Sequence, residues 1–241
     1  MQIMGKDIIE LSNRMKSVVS LLTPGLFVAD IGCDHAYVSI YLCRNKLAKG
    51  VIAMDIGQGP LAIAASNIRN AGYEGIIETR LSDGAQRLKE GEVQAAIIAG
   101  MGGMLMEHII SDSIVIFRKM NELVLQPQSD LYHFRRFLYR NGFVIAAEDM
   151  VFEDGKYYPM MRVVPQTDSS VTNLKDEEYA YGPCLLRDRN AILREFLADE
   201  HAKKIQILAD LKSRDKSDSI CSRIESLEKE IALNSLALGY F

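Results

Sequence analysis

Between residues 26 and 164 the chain repeats one pattern: a short apolar run, a turn, then a stretch with helical spacing of apolar residues. The runs are Leu26-Phe27-Val28-Ala29, Val51-Ile52-Ala53-Met54, Ile76 to Leu81, Ala95-Ala96-Ile97-Ile98-Ala99 and Glu122-Leu123-Val124-Leu125-Gln126. Runs this short and continuous read as strands buried on both faces, and intervening helices make such strands parallel. The spacing predicts helices near 35–47, 58–71, 83–89, 102–111 and 130–140. A further helix over 6–22 stops at Thr23-Pro24-Gly25. Two closing strands, Phe143 to Ala147 and Tyr157 to Val164, follow, with Asp154-Gly155 as the hairpin turn between them. Seven strands ending in a hairpin predict an α/β fold with one mostly parallel sheet and flanking helices.

The tail has a different character. Pro165 to Asn173 is polar and reads as a linker, which sets domains of 1–165 and 166–241. A helix of about 187–213 carries Ile192, Leu193, Phe196, Leu197, Ile205, Leu208 and Leu211. After a polar break from Ser213 to Asp218, a second helix places Ile220, Ile224, Leu227 and Ile231 at heptad spacing. Two such helices predict an antiparallel, coiled-coil-like hairpin, or a helix pair packed on the core. From Gln166 onward there are 11 Lys/Arg against 14 Asp/Glu, so the tail is no polybasic arm.

The first strand runs into Asp30-Ile31-Gly32-Cys33-Asp34-His35-Ala36-Tyr37. A strand, a glycine turn and a helix N-terminus make a cradle for a nucleotide-type cofactor. A dinucleotide site wants Gly-x-Gly-x-x-Gly, so that backbone can approach a pyrophosphate. Here only the first glycine is present, and Asp34 and Tyr37 occupy the other two positions. A carboxylate at the second position repels a pyrophosphate but suits a phosphate-free, positively charged ligand such as S-adenosyl-L-methionine. Asp55 ends the second strand, where a ribose diol is held, and Ser82-Asp83-Gly84 ends the third, within reach of an adenine amine. The fourth strand ends in Gly100-Met101-Gly102-Gly103, where glycines permit unusual backbone angles and close ligand approach. Ligands gather at these carboxyl edges in open parallel sheets.

Composition is that of an ordinary globular chain of 241 residues, 48% hydrophobic and 25% charged. No run reaches membrane-span length, and the N-terminus lacks the apolar core of a signal peptide. Cys33, Cys43, Cys184 and Cys221 have neither Cys-x-x-Cys spacing nor histidine partners, so no metal site and no disulfide framework are expected, and a reducing cytoplasm fits. The net charge of -4 offers no global attraction to nucleic acid. Local clusters exist at Arg118-Lys119, at Arg135-Arg136 with Arg140, and along Lys6, Arg14 and Lys16. Each fits either a nucleic-acid contact or a solvated helix face.

Asp-Ile-Gly-Cys-Asp-His-Ala-Tyr (30–37), Ala-Met-Asp-Ile (53–56), Leu-Ser-Asp-Gly (81–84), Ala-Gly-Met-Gly-Gly (99–103) and Leu-Gln-Pro-Gln-Ser-Asp (125–130) resemble the bacterial tRNA (adenine-22-N1)-methyltransferase family, as does Asn13-Arg14-Met15. The resemblance spans essentially the whole chain. It implies a Rossmann-like catalytic domain with a C-terminal coiled-coil domain, and S-adenosylmethionine-dependent methylation of N1 of an adenine in the tRNA D-arm. By position, Gly32 permits the turn, Asp34 and His35 face the methionine portion of the cofactor, and Asp55 binds the ribose hydroxyls, with Asp30 and Ile56 as further cofactor-binding candidates. Ser82, Asp83 and Gly84 would meet the adenine, with Gly100, Met101, Gly102 and Gly103 lining the methyl-transfer mouth. Arg14 fits either the cofactor carboxylate or a plain helix surface. Gln126, Pro127 and Gln128, with Met101, are candidates to position the target base, or else form a loop capped by Ser129 and Asp130. Tyr157 and Tyr158 fit either base stacking or the core.

Adenine N1 carries an in-plane lone pair and no proton, so no general base is expected. The fourth-strand tip also lacks the Asn/Asp-Pro-Pro-Tyr motif used on exocyclic amines, which favours a ring nitrogen. The partner implied is tRNA, with no membrane, and the protein a monomer or weak dimer. Two other readings share the same core: an NAD-dependent oxidoreductase, which Asp34 disfavours, and a non-catalytic S-adenosylmethionine-binding interaction module.

Overall fold

The computed structural model describes residues 10–166, 174–213 and 217–241. Its first helix, Asn13–Ser20 (α1), starts where the Ser12 hydroxyl accepts the Met15 N–H. That cap places the helix start later than the predicted 6–22; residues 6–9 of that range lie outside the described residues. The Glu153 carboxylate on the closing hairpin also accepts the Asn13 N–H, at 2.9 Å.

Leu26–Ile31 (β1), Ala48–Asp55 (β2), Ile77–Leu81 (β3), Ala95–Met101 (β4) and Glu122–Pro127 (β5) are parallel. Phe143–Glu153 (β6) and Lys156–Pro165 (β7) close the sheet as an antiparallel pair, with β7 running against β5. The order is β3-β2-β1-β4-β5-β7-β6, so the chain reverses direction of travel between β1 and β4. That switch point opens a crevice at the carboxyl ends of these two strands. Asp154 and Gly155 both have positive φ (50° and 74°), the backbone of a tight two-residue hairpin.

Tyr37–Arg44 (α2), Gln58–Ala71 (α3), Gly103–Asp112 (α4) and Leu131–Arg140 (α6) link the strands, with Ile114–Phe117 (α5) a short addition after α4. Val28, Ala53, Ile97 and Val124, one from each central strand, are buried together in the core. β4 runs on through Gly100 and Met101, so its helix begins at Gly103.

The predicted helix at 83–89 does not form. The Ser82 hydroxyl accepts the Arg87 N–H and donates to the Gly84 carbonyl, and Gly84 sits at φ 52°, which holds the segment as turns. Arg135 is also not on the surface. On the core side of α6 it is fully buried and pairs with the Glu148 carboxylate at 3.0 Å, which removes it from the basic cluster with Arg136 and Arg140.

The chain divides into two units, Met1–Ser170 and Val171–Phe241. Of the predicted linker, Pro165 ends β7, and 167–173 lie outside the described residues. Two short helices, Asp176–Tyr181 (α7) and Pro183–Arg187 (α8), precede the long pair Ala191–Lys212 (α9) and Asp218–Leu238 (α10). The long helix therefore starts at the Asn190 cap, later than the predicted 187. The pair is antiparallel, with Lys204 reaching Glu230 and Lys212 reaching Glu228. Within it Leu227 is buried, whereas Ile220, Ile224 and Ile231 are half-buried and Ile205 is exposed. A polar group shares the buried seam with Leu197, Leu227 and Ala237. The fully buried Asn234 amide donates to the Leu197 carbonyl and to Glu200, and its oxygen meets His201 Nδ1 at 2.9 Å. Buried amides must be satisfied, so this network fixes the register of the hairpin.

Candidate active site

The turn after β1 is built from strained backbone. Gly32 (φ 75°) is followed by Asp34 (φ 50°) and Ala36 (φ 60°), and the latter two are not glycine. Single non-glycine residues in this region are uncommon and cluster at ligand-binding turns. The turn is pinned to β2, because the Gly32 and Cys33 N–H groups both donate to the Met54 carbonyl. Asp55 completes the link: one carboxylate oxygen accepts the Gly57 N–H at 2.8 Å and the other the Asp34 N–H at 3.3 Å. A half-buried carboxylate oriented by two backbone donors keeps further lone pairs for a ligand.

Asp30 lies beneath the turn rather than in it. It is 5% exposed and accepts the Ser39 hydroxyl at 2.6 Å. Burial pushes its carboxyl from the ordinary 3.8 up to about 6, opposed by the bonds from Ser39 and reinforced by the charge of Asp55. Asp34 is exposed, and His35 Nε2 lies 3.7 Å from its carboxylate. The other ring nitrogen of His35, Nδ1, is buried and has no hydrogen-bond partner among the described residues. Asn67 of α3, which sequence reasoning does not reach, donates to the His35 carbonyl at 3.0 Å. Only the fold brings these two residues together.

At the β3 tip Asp83 is exposed, and Ile56 beyond β2 is 69% exposed, an apolar side chain at the rim. The Ser82 hydroxyl is spent on its own turn, and a Cβ on Gly84 would press on Ile109 at 2.9 Å. These two therefore shape the loop that carries Asp83.

The β4 tip faces both ways. Met101 reaches over Gly32, so that a Cβ there would strike the end of its side chain. Gly100 is exposed at φ 80°. Gly102 and Gly103 face the loop after β5: the Gly103 N–H donates to the Ser129 hydroxyl, and a Cβ on Gly103 would lie 2.6 Å from the Ser129 carbonyl. Their small size serves packing of that loop. Gln128 is exposed and its N–H donates to the Met101 carbonyl at 2.9 Å. Pro127 is buried. Gln126 is fully buried with both ends of its amide engaged, so it cannot meet a base from where it stands. Arg14 is half-buried, with its guanidinium 4.8 Å above the Tyr158 ring and one N–H on Gln126. Tyr157 packs on Phe152.

The tips of β1, β2 and β4 thus lie together at the carboxyl edge of the sheet, with β3 carrying Asp83 beside them. The lining fits S-adenosylmethionine. The first turn presents a carboxylate where a pyrophosphate would need donors, and the buried His35 nitrogen calls for a polar partner that none of the described residues supplies. Among the described residues no cluster of His, Cys, Asp and Glu could hold a metal ion, and no helix is long and apolar enough to cross a membrane.

The family model for tRNA (adenine(22)-N(1))-methyltransferase matches residues 28–235. The curated tRNA (adenine(22)-N(1))-methyltransferase of Bacillus subtilis is 30% identical, over 92% of this chain and 98% of its own. The crystal structure of the B. subtilis m1A22 tRNA methyltransferase TrmK superposes with a TM-score of 0.84 at 28% identity, covering 95% of this chain and 99% of that one. M. capricolum TrmK, solved with the cofactor product S-adenosylhomocysteine, gives 0.76 at 26% identity over 92% and 98% of the two chains. With the crevice built as described and both chains matched almost end to end, the protein belongs to the tRNA (adenine(22)-N(1))-methyltransferase family.

Proposed function

We propose that this enzyme methylates N1 of adenine 22 in the D-arm of tRNA, with the crevice at the β1–β4 switch point as its cofactor site. The observation that carries the reading is the first turn, where Asp34 stands at the phosphate-binding position and Asp55 is oriented by backbone donors from both sides. S-adenosylmethionine supplies a methyl group activated on a sulfonium.

The protein's part is alignment and electrostatics. Asp55 takes the ribose hydroxyls, Ile56 and Asp83 flank the adenine, and Asp34 and His35 meet the cationic methionine end. Arg14, braced on Tyr158 and Gln126, would offer its guanidinium to an anionic group. Exposed Gln128 is the better candidate to meet the target base, since Gln126 is enclosed. Adenine N1 is masked in paired or stacked RNA, so the D-arm must open locally. The C-terminal hairpin and the remaining basic residues, Arg136 and Arg140, would meet the RNA backbone. The protein acts as a monomer or weak dimer in the cytoplasm.

Methyl transfer from labelled S-adenosylmethionine to unmodified tRNA, followed by nucleoside analysis, tests this. 1-Methyladenosine is expected, and it should vanish when A22 is replaced by G. N6-methyladenosine, or no labelled nucleoside at all, would overturn the reading.

Asp30 gives a pH signature to the same site. A carboxyl whose pKa rises on folding contributes stability that is full below 3.8 and is lost as pH climbs through about 6. Asp30→Asn keeps an acceptor for Ser39 and has no such titration. Its stability relative to the parent should therefore rise by up to ~3 kcal/mol between about pH 4 and pH 8. Thermal melts of both proteins at the two pH values check this, and a constant difference would contradict it.

A further inference from the structure

We infer that Gln126 is a positioning residue for methyl transfer, tying helix α1 to the tip of β4; this rests on the cofactor site proposed above. Its neighbours on β5, Leu123, Val124 and Leu125, are apolar and fully buried, as a central strand requires. An amide in that row is costly unless every polar valence is met. Three bonds hold this one in a directed way. Oε1 accepts the Gly100 N–H at 3.2 Å and Arg14 Nη1 at 3.3 Å, while Nε2 donates to the Pro127 carbonyl at 3.3 Å. Two donors converge on one end and an acceptor on the other, so the amide has a single orientation.

The groups it joins all bear on the mouth. Gly100, at φ 80°, leads straight into Met101, which overlies Gly32 of the first turn and whose carbonyl accepts the Gln128 N–H. Arg14 is held from its other side by the Tyr158 ring, and its own N–H by Glu153, at 3.4 Å. A strand filler would need none of these bonds. Gln126 therefore sets the height of the Gly100–Met101 backbone and the place of the Arg14 guanidinium, and touches neither substrate itself.

Gln126→Met keeps the length and loses the bonds. Its kcat for tRNA methylation is expected to fall by on the order of ten- to a hundredfold, as small displacements at a reacting centre do. The dissociation constant for S-adenosylhomocysteine should change far less than kcat, since the bonds of Asp55 and the backbone bonds of the first turn do not involve Gln126. Gln126→Glu, which retains an oxygen for both donors but sets its second oxygen against the Pro127 carbonyl, should recover only part of the lost kcat. Arg14→Met should lower kcat in the same direction, and the double variant should be no worse than the poorer single one. If Gln126→Met fails to fold by circular dichroism, Gln126→Glu and Arg14→Met decide the matter: parental kcat in Arg14→Met overturns the inference. So does unchanged kcat in Gln126→Met, an equal loss of cofactor affinity, or multiplicative effects in the double variant. Failure of the proposed function would show instead in the parent enzyme, as absence of 1-methyladenosine.

Discussion

Asp55→Ala is expected to weaken S-adenosylhomocysteine binding by about two orders of magnitude, measured by calorimetry, with little change in melting temperature. The carboxylate is half-buried, and its two oxygens accept Gly57 N–H and Asp34 N–H. On the proposed role of Asp55, removing it would lose charge-assisted bonds to the ribose diol, each worth roughly 1.5–3 kcal/mol. The turn itself stays anchored through the Met54 carbonyl, which accepts both Gly32 and Cys33 N–H groups. Asp55→Asn sharpens the point. Its NH2 must face one of two backbone donors, so it should also bind at least about tenfold more weakly despite nearly identical shape. Parental affinity in either variant would remove Asp55 from the site.

The second large effect is expected at Gly103. Its added Cβ meets the Ser129 carbonyl at 2.6 Å and Asp130 Cβ at 3.3 Å, which are parts of a loop with no flexible tip to swing aside. Gly103→Ala should cost roughly 2–3 kcal/mol of stability, a fall of about 5–10 °C in melting temperature for a unit of this size. It should lower kcat as well, because the displaced loop carries Gln128. At Gly32 the obstacle is only the mobile end of Met101, so Gly32→Ala bears chiefly the positive-φ penalty, about 1 kcal/mol. Calorimetric melts of the two variants should therefore rank Gly103→Ala as the less stable. The reverse order would mean that the contact between the β4 tip and the loop after β5 is not as described.

Much of the sheet was legible because a parallel strand buried on both faces leaves a continuous apolar run, as Ala95 to Ala99 does. Asp154-Gly155 was legible for a local reason too, since both residues tolerate the φ a tight hairpin needs. What was not legible depends on partners distant in sequence. Gln86-Arg87-Leu88-Lys89 has helical composition, yet the Ser82 hydroxyl and the positive φ of Gly84 hold it as turns. Arg135 looked like surface charge, because its partner Glu148 arrives only with β6. Gln126 looked like a substrate contact since strand tips usually face the crevice, and Gly100 and Arg14, which consume its oxygen, come from β4 and α1. The site's carboxylates were readable one by one. The orientation of Asp55, the burial of Asp30 and the support from Asn67 were not.

Competitive titration of the purified protein with S-adenosylhomocysteine and NAD tests the electrostatic character of the first turn most directly. With Asp34 at the phosphate-binding position, S-adenosylhomocysteine should bind at least about a hundredfold tighter than NAD. Equal or tighter binding of NAD would contradict it.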